Sequence, residues 1–402
     1  MSRGPILRSL YAPVLKTPDN TARLFAALAL ALLLQGVAPP AALAQAEPGV
    51  GARSWVLADA ESGEYLAGEN ASERLSMGST DKIMVALVAL RLVEAGEVDL
   101  DEEVTVSQDA AAFATPLYSN VGLFAGDTVS VRELLAAALI PSGNDAAYAL
   151  AEHLGGESGV EGFVERMNRE AELLGLEDTR FQNPTGLDAR GQYSSARDLA
   201  AMARAASEYP LFRELVATGY TTITTQDREI ELVSTNELLL TYPPATGVKT
   251  GTTPGAGPSL VASAAAEDEA YVSVVLDDVD RFASSARLLD YGFAAYDRAN
   301  LVVRGERYAT ADVPYRRGET VDLVAKWDVE GLVGGDPEIR RETRVFEELP
   351  ASAKPGTSLG EVVVEVDGEQ VGESPLVAKE GYEAASLWKR VWYTASQPFK
   401  GP

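Results

Sequence analysis

Ser79-Thr80-Asp81-Lys82-Ile83-Met84-Val85-Ala86-Leu87-Val88-Ala89-Leu90 sets a hydroxyl and an amine three residues apart at the head of an apolar run. On a helix, residues i and i+3 share a face, so the Lys82 side chain folds back toward the Ser79 hydroxyl. A lysine removes that proton only when neutral, and neutrality requires burial or a neighbouring cation to pull it below its ordinary value of about 10.4. The run after Lys82 is apolar almost all round, which predicts a helix central to its domain and a dry setting for the amine. Ser79 falls at the expected helix N-terminus, where unpaired backbone N–H groups favour developing negative charge. By itself the spacing is a weak signal. Ser386-Leu387-Trp388-Lys389 repeats it in a tail unsuited to catalysis, and a capping serine followed by a surface lysine accounts for any single copy.

Composition narrows the chemistry. The 402 residues include one histidine and no cysteine. A Ser-His-Asp triad would depend on His153, and a multi-histidine zinc site has no ligands. His153 stands beside the Gly155-Gly156 helix stop and reads as a surface residue at a helix C-terminus. Serine with lysine is then the main nucleophilic pairing left. The net charge of −26 repels nucleic acid and anionic lipid, so no nucleic-acid partner is expected.

At the N-terminus, Arg3, Arg8, Lys16 and Arg23 precede eleven uninterrupted apolar residues, Leu24 to Leu34, and Ala42-Leu43-Ala44 or Ala44-Gln45-Ala46 offers a cleavage site. Eleven residues are too few for a comfortable bilayer span. Residues 1–46 therefore read as a signal peptide, and the mature chain is expected at the outer face of the cytoplasmic membrane or in the cell wall space. The lack of cysteine excludes a disulfide framework there.

Ser54–Asp59 and Tyr65–Ala67, joined through Ser62-Gly63, predict a hairpin. From Ser79 to about Ala206 the pattern is mainly helical, with stops at Gly96, Gly155-Gly156 and Gly175. Strand character returns at Tyr220–Thr224, Ser259–Ala264 and Tyr271–Leu276, and a helix is expected over Phe282–Tyr296. Strands at both ends with helices between them imply a sheet closed by N- and C-terminal strands, with a helical lobe inserted. Beyond about Leu301, Thr320–Trp327 and Glu361–Val366 alternate with period two, and Asp367-Gly368 is a hairpin signal. That stretch is expected to be a small all-β domain, with a further turn at Pro355-Gly356. In the last twenty residues Leu387, Trp388, Val391, Trp392 and Phe399 recur at near-helical spacing beside Lys389, Arg390 and Lys400. Two tryptophans and a local reversal of charge favour an amphipathic membrane anchor over a helix docked on its own domain.

Two further elements follow Ser79 in order. Ser142-Gly143-Asn144 closes the apolar run Leu134–Ile140 and opens the helix containing His153, a junction suited to aiming a hydroxyl and an amide into a cleft. Lys249-Thr250-Gly251 precedes the strand from Ser259 and offers a cation, a hydroxyl and open N–H groups along a strand edge. Ser234-Thr235-Asn236 also fits the middle element, but lies too close to Lys249 in sequence to build an opposing wall. Together these resemble the active-serine penicillin-binding constellation.

The chain resembles the low-molecular-mass penicillin-binding proteins that act as D-alanyl-D-alanine carboxypeptidases, peptidase family S11. The resemblance runs over roughly residues 50 to 300. It includes Gly126–Val131 leading to Pro141–Ala146, Gly186-Leu187-Asp188 with Gly191–Asp198, and Gly247–Thr253 through Leu260–Ala264. It implies an α/β fold of the β-lactamase/transpeptidase type, a sheet flanked by helices with a helical lobe, plus a small C-terminal all-β domain. The expected segments are a catalytic domain over 47–300, a β-rich domain over 301–380 and an amphipathic tail over 381–402. The implied reaction removes the terminal D-alanine from a peptidoglycan stem peptide through an acyl-enzyme, without metal or cofactor, and β-lactams acylate the same serine. By resemblance Ser79 is the nucleophile and Lys82 the general base. Ser142, held by Asn144, relays the proton to the leaving amine. Lys249, Thr250, Gly251 and Arg197 belong to the pocket for the terminal carboxylate, and the N–H groups of Ser79 and Thr252 form the oxyanion hole. Thr252 stands where some members carry histidine, which bears on substrate preference and deacylation rate.

A class A-type β-lactamase shares all three motifs but needs a glutamate to activate the deacylating water. Glu165, Glu170 and Glu172 occupy a stretch expected to be helical, Val164–Leu174, instead of a loop. A non-catalytic envelope-binding scaffold would have no reason to keep Ser79, Lys82, Ser142, Asn144 and Lys249 together.

Overall fold

The computed structural model describes residues 48–335 and 337–395. The expected signal peptide lies outside them, as do Phe399 and Lys400 of the tail. A five-stranded antiparallel sheet joins the two ends of the first domain. Its strands are β1 (Ser54–Asp59), β2 (Tyr65–Glu69), β3 (Ala245–Thr253), β4 (Gly257–Ala266) and β5 (Glu269–Leu276), in the order β2-β1-β5-β4-β3. All six residues of β1 are buried because the sheet is covered on both faces, and alternate side chains feed different cores. Val56 and Ala58 join the core of the helical lobe. Trp55 and Leu57 pack on the opposite face, with Leu288 and Leu289 of the last helix of the domain.

The helical lobe is built around α1 (Lys82–Glu94), which buries Lys82 through Leu90 and Leu92. An all-round apolar surface forces such a helix into the centre, where α2 (Val131–Leu139), α3 (Asn144–Leu154), α4 (Gly159–Leu173) and α5 (Ala196–Ser207) surround it. Burying each Leu, Ile or Val side chain there contributes about 1.5–3 kcal/mol. The helix starts later than its sequence suggests, because Gly78–Asp81 winds as a 3₁₀ turn and α1 begins at Lys82. Tyr220–Thr224 forms a separate hairpin with Glu229–Val233 instead of joining the main sheet. The last helix, α6 (Arg281–Ala295), leads directly into a strand, Tyr296–Val302.

That strand pairs with Val329–Gly334, and a second five-stranded sheet follows. Its core is Leu301, Leu323, Leu359, Val362, Val364 and Leu376 with their neighbours. At the Asp367-Gly368 turn both residues have positive φ, 51° and 87°, the geometry that matches the twist of a tight hairpin. The Arg298 guanidinium reaches back to the buried Asp59 carboxylate at 3.0 Å and to Glu61 at 3.2 Å, and the Tyr296 hydroxyl donates to the Leu66 carbonyl at 3.1 Å. These contacts tie the β-rich domain to β1 and β2. The tail forms a helix, Leu387–Ala395. Tyr393 packs edge-on to Tyr315 and Arg317 lies over Trp392, while Leu387, Trp388, Val391 and Trp392 remain largely exposed.

Candidate active site

The site forms where α1, the start of α3 and the free edge of β3 meet. The Lys82 ammonium is fully buried and donates to Ser79 Oγ at 3.0 Å, Asn144 Oδ1 at 2.7 Å and the Thr185 carbonyl at 2.6 Å. Burial pulls Lys82 down to about 8, against the opposing fields of Asp81 and Asp145. Ser79 itself is half-buried, while its base stays fully buried.

Asn144 opens α3, and Asp145 beside it accepts from the N–H groups of Val121 and Leu123, fixing the loop that walls the junction. Ser142 is 3% exposed and adopts φ 69°, a left-handed conformation that costs a non-glycine residue energy and commonly marks functional sites. Its Oγ is buried without a hydrogen-bond partner among the described residues. A buried hydroxyl left unpaired loses about 1–3 kcal/mol, a cost that a substrate atom in the cleft would remove.

On the opposite wall, β3 presses its edge against the Gly78–Asp81 turn. A β-carbon on Gly78 would lie 3.0 Å from Thr252 N, and one on Gly251 would lie 3.2 Å from Ser79 N. The two amides are thus brought close by a backbone approach that only glycine permits. Lys249 is 1% exposed and donates to the Thr250 carbonyl at 3.1 Å. Burial, with the like charge of Lys82 beside it, holds Lys249 well below the ordinary lysine range.

A buried lysine bound to a serine hydroxyl, an unpaired second serine and two converging amides form a site for acyl transfer. Residues 41–280 match the family model described as D-alanyl-D-alanine carboxypeptidase, and residues 296–384 match that of the penicillin-binding protein 5 C-terminal domain. The chain belongs to the D-alanyl-D-alanine carboxypeptidases. It is 33% identical to carboxypeptidase DacF of Bacillus subtilis, over 91% of this chain and 96% of the relative. It is 35% identical to DacC of Escherichia coli, over 86% and 88%. Among solved structures, penicillin binding protein 5 from Haemophilus influenzae superposes with a TM-score of 0.68 at 30% identity, covering 84% of this chain and 99% of that one. The expected α/β fold with its C-terminal β domain is the fold of these carboxypeptidases.

Within this carboxypeptidase the structure brings Ser79, Lys82, Asn144 and Lys249 to one cleft, with Ser142, Thr250, Gly251 and Thr252 on its walls. Arg197 is a correction. It opens α5, its amide donates to the Ala71 carbonyl, and its guanidinium stacks 4.7 Å over the Tyr65 ring. Tyr65 lies on β2, the edge of the sheet opposite β3, so Arg197 is remote from the carboxylate pocket. The cation at β3 is Arg281, whose Nη1 donates to Thr252 Oγ1 at 2.6 Å and to the Gly251 carbonyl at 3.0 Å. Its place at the head of α6 carries no local signal, because only the packing of α6 on the sheet delivers it there.

Two more contributors escaped sequence reasoning. The Thr185 carbonyl is presented by a turn in which Asn183 Oδ1 accepts from both the Thr185 amide and hydroxyl. Thr235, which in the sequence belongs only to a rival motif, sets its hydroxyl 2.6 Å from that of Thr250, and its amide donates to the Ile140 carbonyl. Glu165, Glu170 and Glu172 lie on α4 as expected. Glu170 pairs with Arg91 at 3.3 Å, about 13 Å along α1 from Lys82 at 1.5 Å per residue.

Proposed function

We propose that this serine-type D-Ala-D-Ala carboxypeptidase works through Ser79 as nucleophile and Lys82 as its base. The observation that carries this is the Lys82 ammonium, fully buried, 3.0 Å from Ser79 Oγ. Neutral Lys82 takes the hydroxyl proton as Ser79 Oγ bonds to the carbonyl carbon of the penultimate D-alanine. The oxyanion sits on the amides of Ser79 and Thr252, a contribution of about 3–4 kcal/mol per donor. Ser142, unpaired in the resting site, passes the proton to the leaving nitrogen. The peptide C–N bond breaks, D-alanine departs, and water then cleaves the ester. Lys249, Thr250 and Arg281 receive the terminal carboxylate, since cations and a hydroxyl on one edge suit an anion.

The family's work on peptidoglycan is extracytoplasmic. We place this chain, freed of residues 1–46, at the outer face of the cytoplasmic membrane. The tail supports that placement, for Leu387, Trp388, Val391 and Trp392 are 79%, 86%, 62% and 65% exposed beside Lys389 and Arg390, the combination of interfacial helices. None of the helices among the described residues is long and apolar enough to cross a membrane, so the contact would be peripheral.

Labelling with a fluorescent penicillin tests the site. The β-lactam amide is cleaved without releasing its nitrogen-bearing fragment, so a long-lived adduct on Ser79 is expected, lost in Ser79→Ala. Rapid turnover of the label would indicate a β-lactamase, and no adduct would indicate a scaffold; either result would overturn the assignment.

A further inference from the structure

Asp81 lies between Ser79 and Lys82 in the nucleophile turn, and nothing in the reaction above uses it. An aspartate at the head of a helix ordinarily caps it by accepting from backbone N–H groups. Here Asp81 already has helical angles, φ −59° and ψ −24°, and its side chain makes no cap hydrogen bond. The residue is 0% exposed, and neither carboxyl oxygen has a hydrogen-bond partner among the described residues. The carboxyl fits only because residue 186 is glycine at φ +76°. A β-carbon there would fall 2.7 Å from Asp81 Oδ1 and 2.1 Å from the Gly78 carbonyl oxygen. A buried carboxyl without a partner is costly, so its surroundings must supply compensation. They do so with charge: Lys82 on its own helix and Lys249 on β3 both bear on it, and the nearby amides of Lys82 and Gly186 favour ionisation without completing a hydrogen bond.

We propose that Asp81 is a positioning residue: sealed against Gly186 and facing both Lys82 and Lys249, it is the counter-charge that sets how the lysine pair shares protons. With Asp81 ionised, a single proton held between Lys82 and Lys249 leaves the buried trio uncharged overall. When that proton sits on Lys249, Ser79 has a base and the carboxylate pocket a cation. The remaining charged groups facing the trio are Asp145, toward Lys82, and Arg281, toward Lys249. Burial dominates at Asp81 and raises it to about 7 despite both lysines, so its charge changes within the working range of the enzyme.

The proposal rests on Lys82 as general base and is tested separately from it. In Asp81→Asn, Lys82 loses an attraction that favours its charged form. The rising limb of the kcat/KM–pH profile for D-alanine release should move about 1 pH unit or more toward acid. KM should rise severalfold as Lys249 loses its counter-charge. Profiles superposable on the wild type, at whatever absolute rate, would overturn the role of Asp81 and leave Lys82 untouched. Loss of acylation in Lys82→Ala is the independent check on the base. Should Asp81→Asn and Asp81→Ala both fail to fold, carboxyl-labelled aspartate in the wild type reads the same coupling by NMR. A buried carboxyl titrating near neutrality, and moved upward by Lys82→Ala, is expected. One titrating in the ordinary carboxylate range, indifferent to Lys82, would overturn the proposal.

Discussion

At Lys82, burial and charge pull in opposite directions, and the outcome sets the working pH. Desolvation lowers the lysine while Asp81 and Asp145 raise it, leaving it near 8. At pH 7 about a tenth of such a lysine is neutral, against about four in ten thousand for an ordinary one. D-alanine release by the wild type should therefore climb from pH 6 to pH 9 with a midpoint near 8; a flat profile across that range would remove Lys82 as base. Thr235 offers a finer probe. Thr235→Val deletes the hydroxyl that meets Thr250 and is expected to raise KM for the stem peptide about two- to tenfold, with little change in kcat, on the usual worth of one hydrogen bond. Substrate kinetics on the folded variant decide this. The Ser79–Lys82 pair was legible in the sequence because helical spacing is local arithmetic. Arg197 and Arg281 were not distinguishable, since both are arginines opening a helix and only tertiary packing separates the Tyr65 edge of the sheet from the Thr252 edge.

Among the elements, α2 shows how local rules secure the site's scaffold. Ser130 and Glu133 form a reciprocal capping box, with Ser130 Oγ accepting from Glu133 N and Glu133 Oε2 accepting from Ser130 N at 3.2 Å. Ser130→Ala should cost about 1 kcal/mol of stability, read by denaturant unfolding, while acylation stays near the wild-type rate. Gly186→Ala should do the opposite. The new methyl meets the Gly78 carbonyl oxygen and Asp81, so the Thr185 carbonyl and the nucleophile turn are displaced together. A loss of acylation much larger than the loss of stability is expected from parallel stopped-flow and melting measurements. Two elements were readable directly: α1 from its unbroken apolar run, and the strand Ser358–Val366 from the period-two alternation of Glu361–Val366. The turn around Thr185 was not readable as a ligand to Lys82, because a backbone carbonyl leaves no mark in the sequence. The strand containing Lys249 was also understated, for β3 begins at Ala245 in a segment broken by Gly247 and flanked by proline.

For the whole molecule, an acidic chain carries its basic, aromatic surface at one end. Arg298, 16% exposed at its side chain, bridges the β-rich domain to the buried Asp59. Arg298→Ala leaves that carboxylate without a cation, held among the described residues only by the Ser62 amide and hydroxyl, and should lower stability by about 3 kcal/mol, visible as a drop in the melting temperature of the entire chain. Replacing Trp388 and Trp392 by alanine together should abolish binding to anionic lipid vesicles in sedimentation, with hydrolysis of soluble peptide unchanged; undiminished binding would remove the tail as anchor. The two-domain architecture and the amphipathic tail were both legible, the first from the change of period after Leu301, the second from the reversal of charge. The ties between the domains were not, since Arg298 and Asp59 lie 239 residues apart. The central claim, that Ser79 carries the acyl group in a D-Ala-D-Ala carboxypeptidase, is tested most directly by measuring free D-alanine released from a stem pentapeptide by the wild type and by Ser79→Ala. The wild type should release it and the variant should lose at least about a thousandfold in rate. No release by the wild type, or undiminished release by the variant, would contradict that claim.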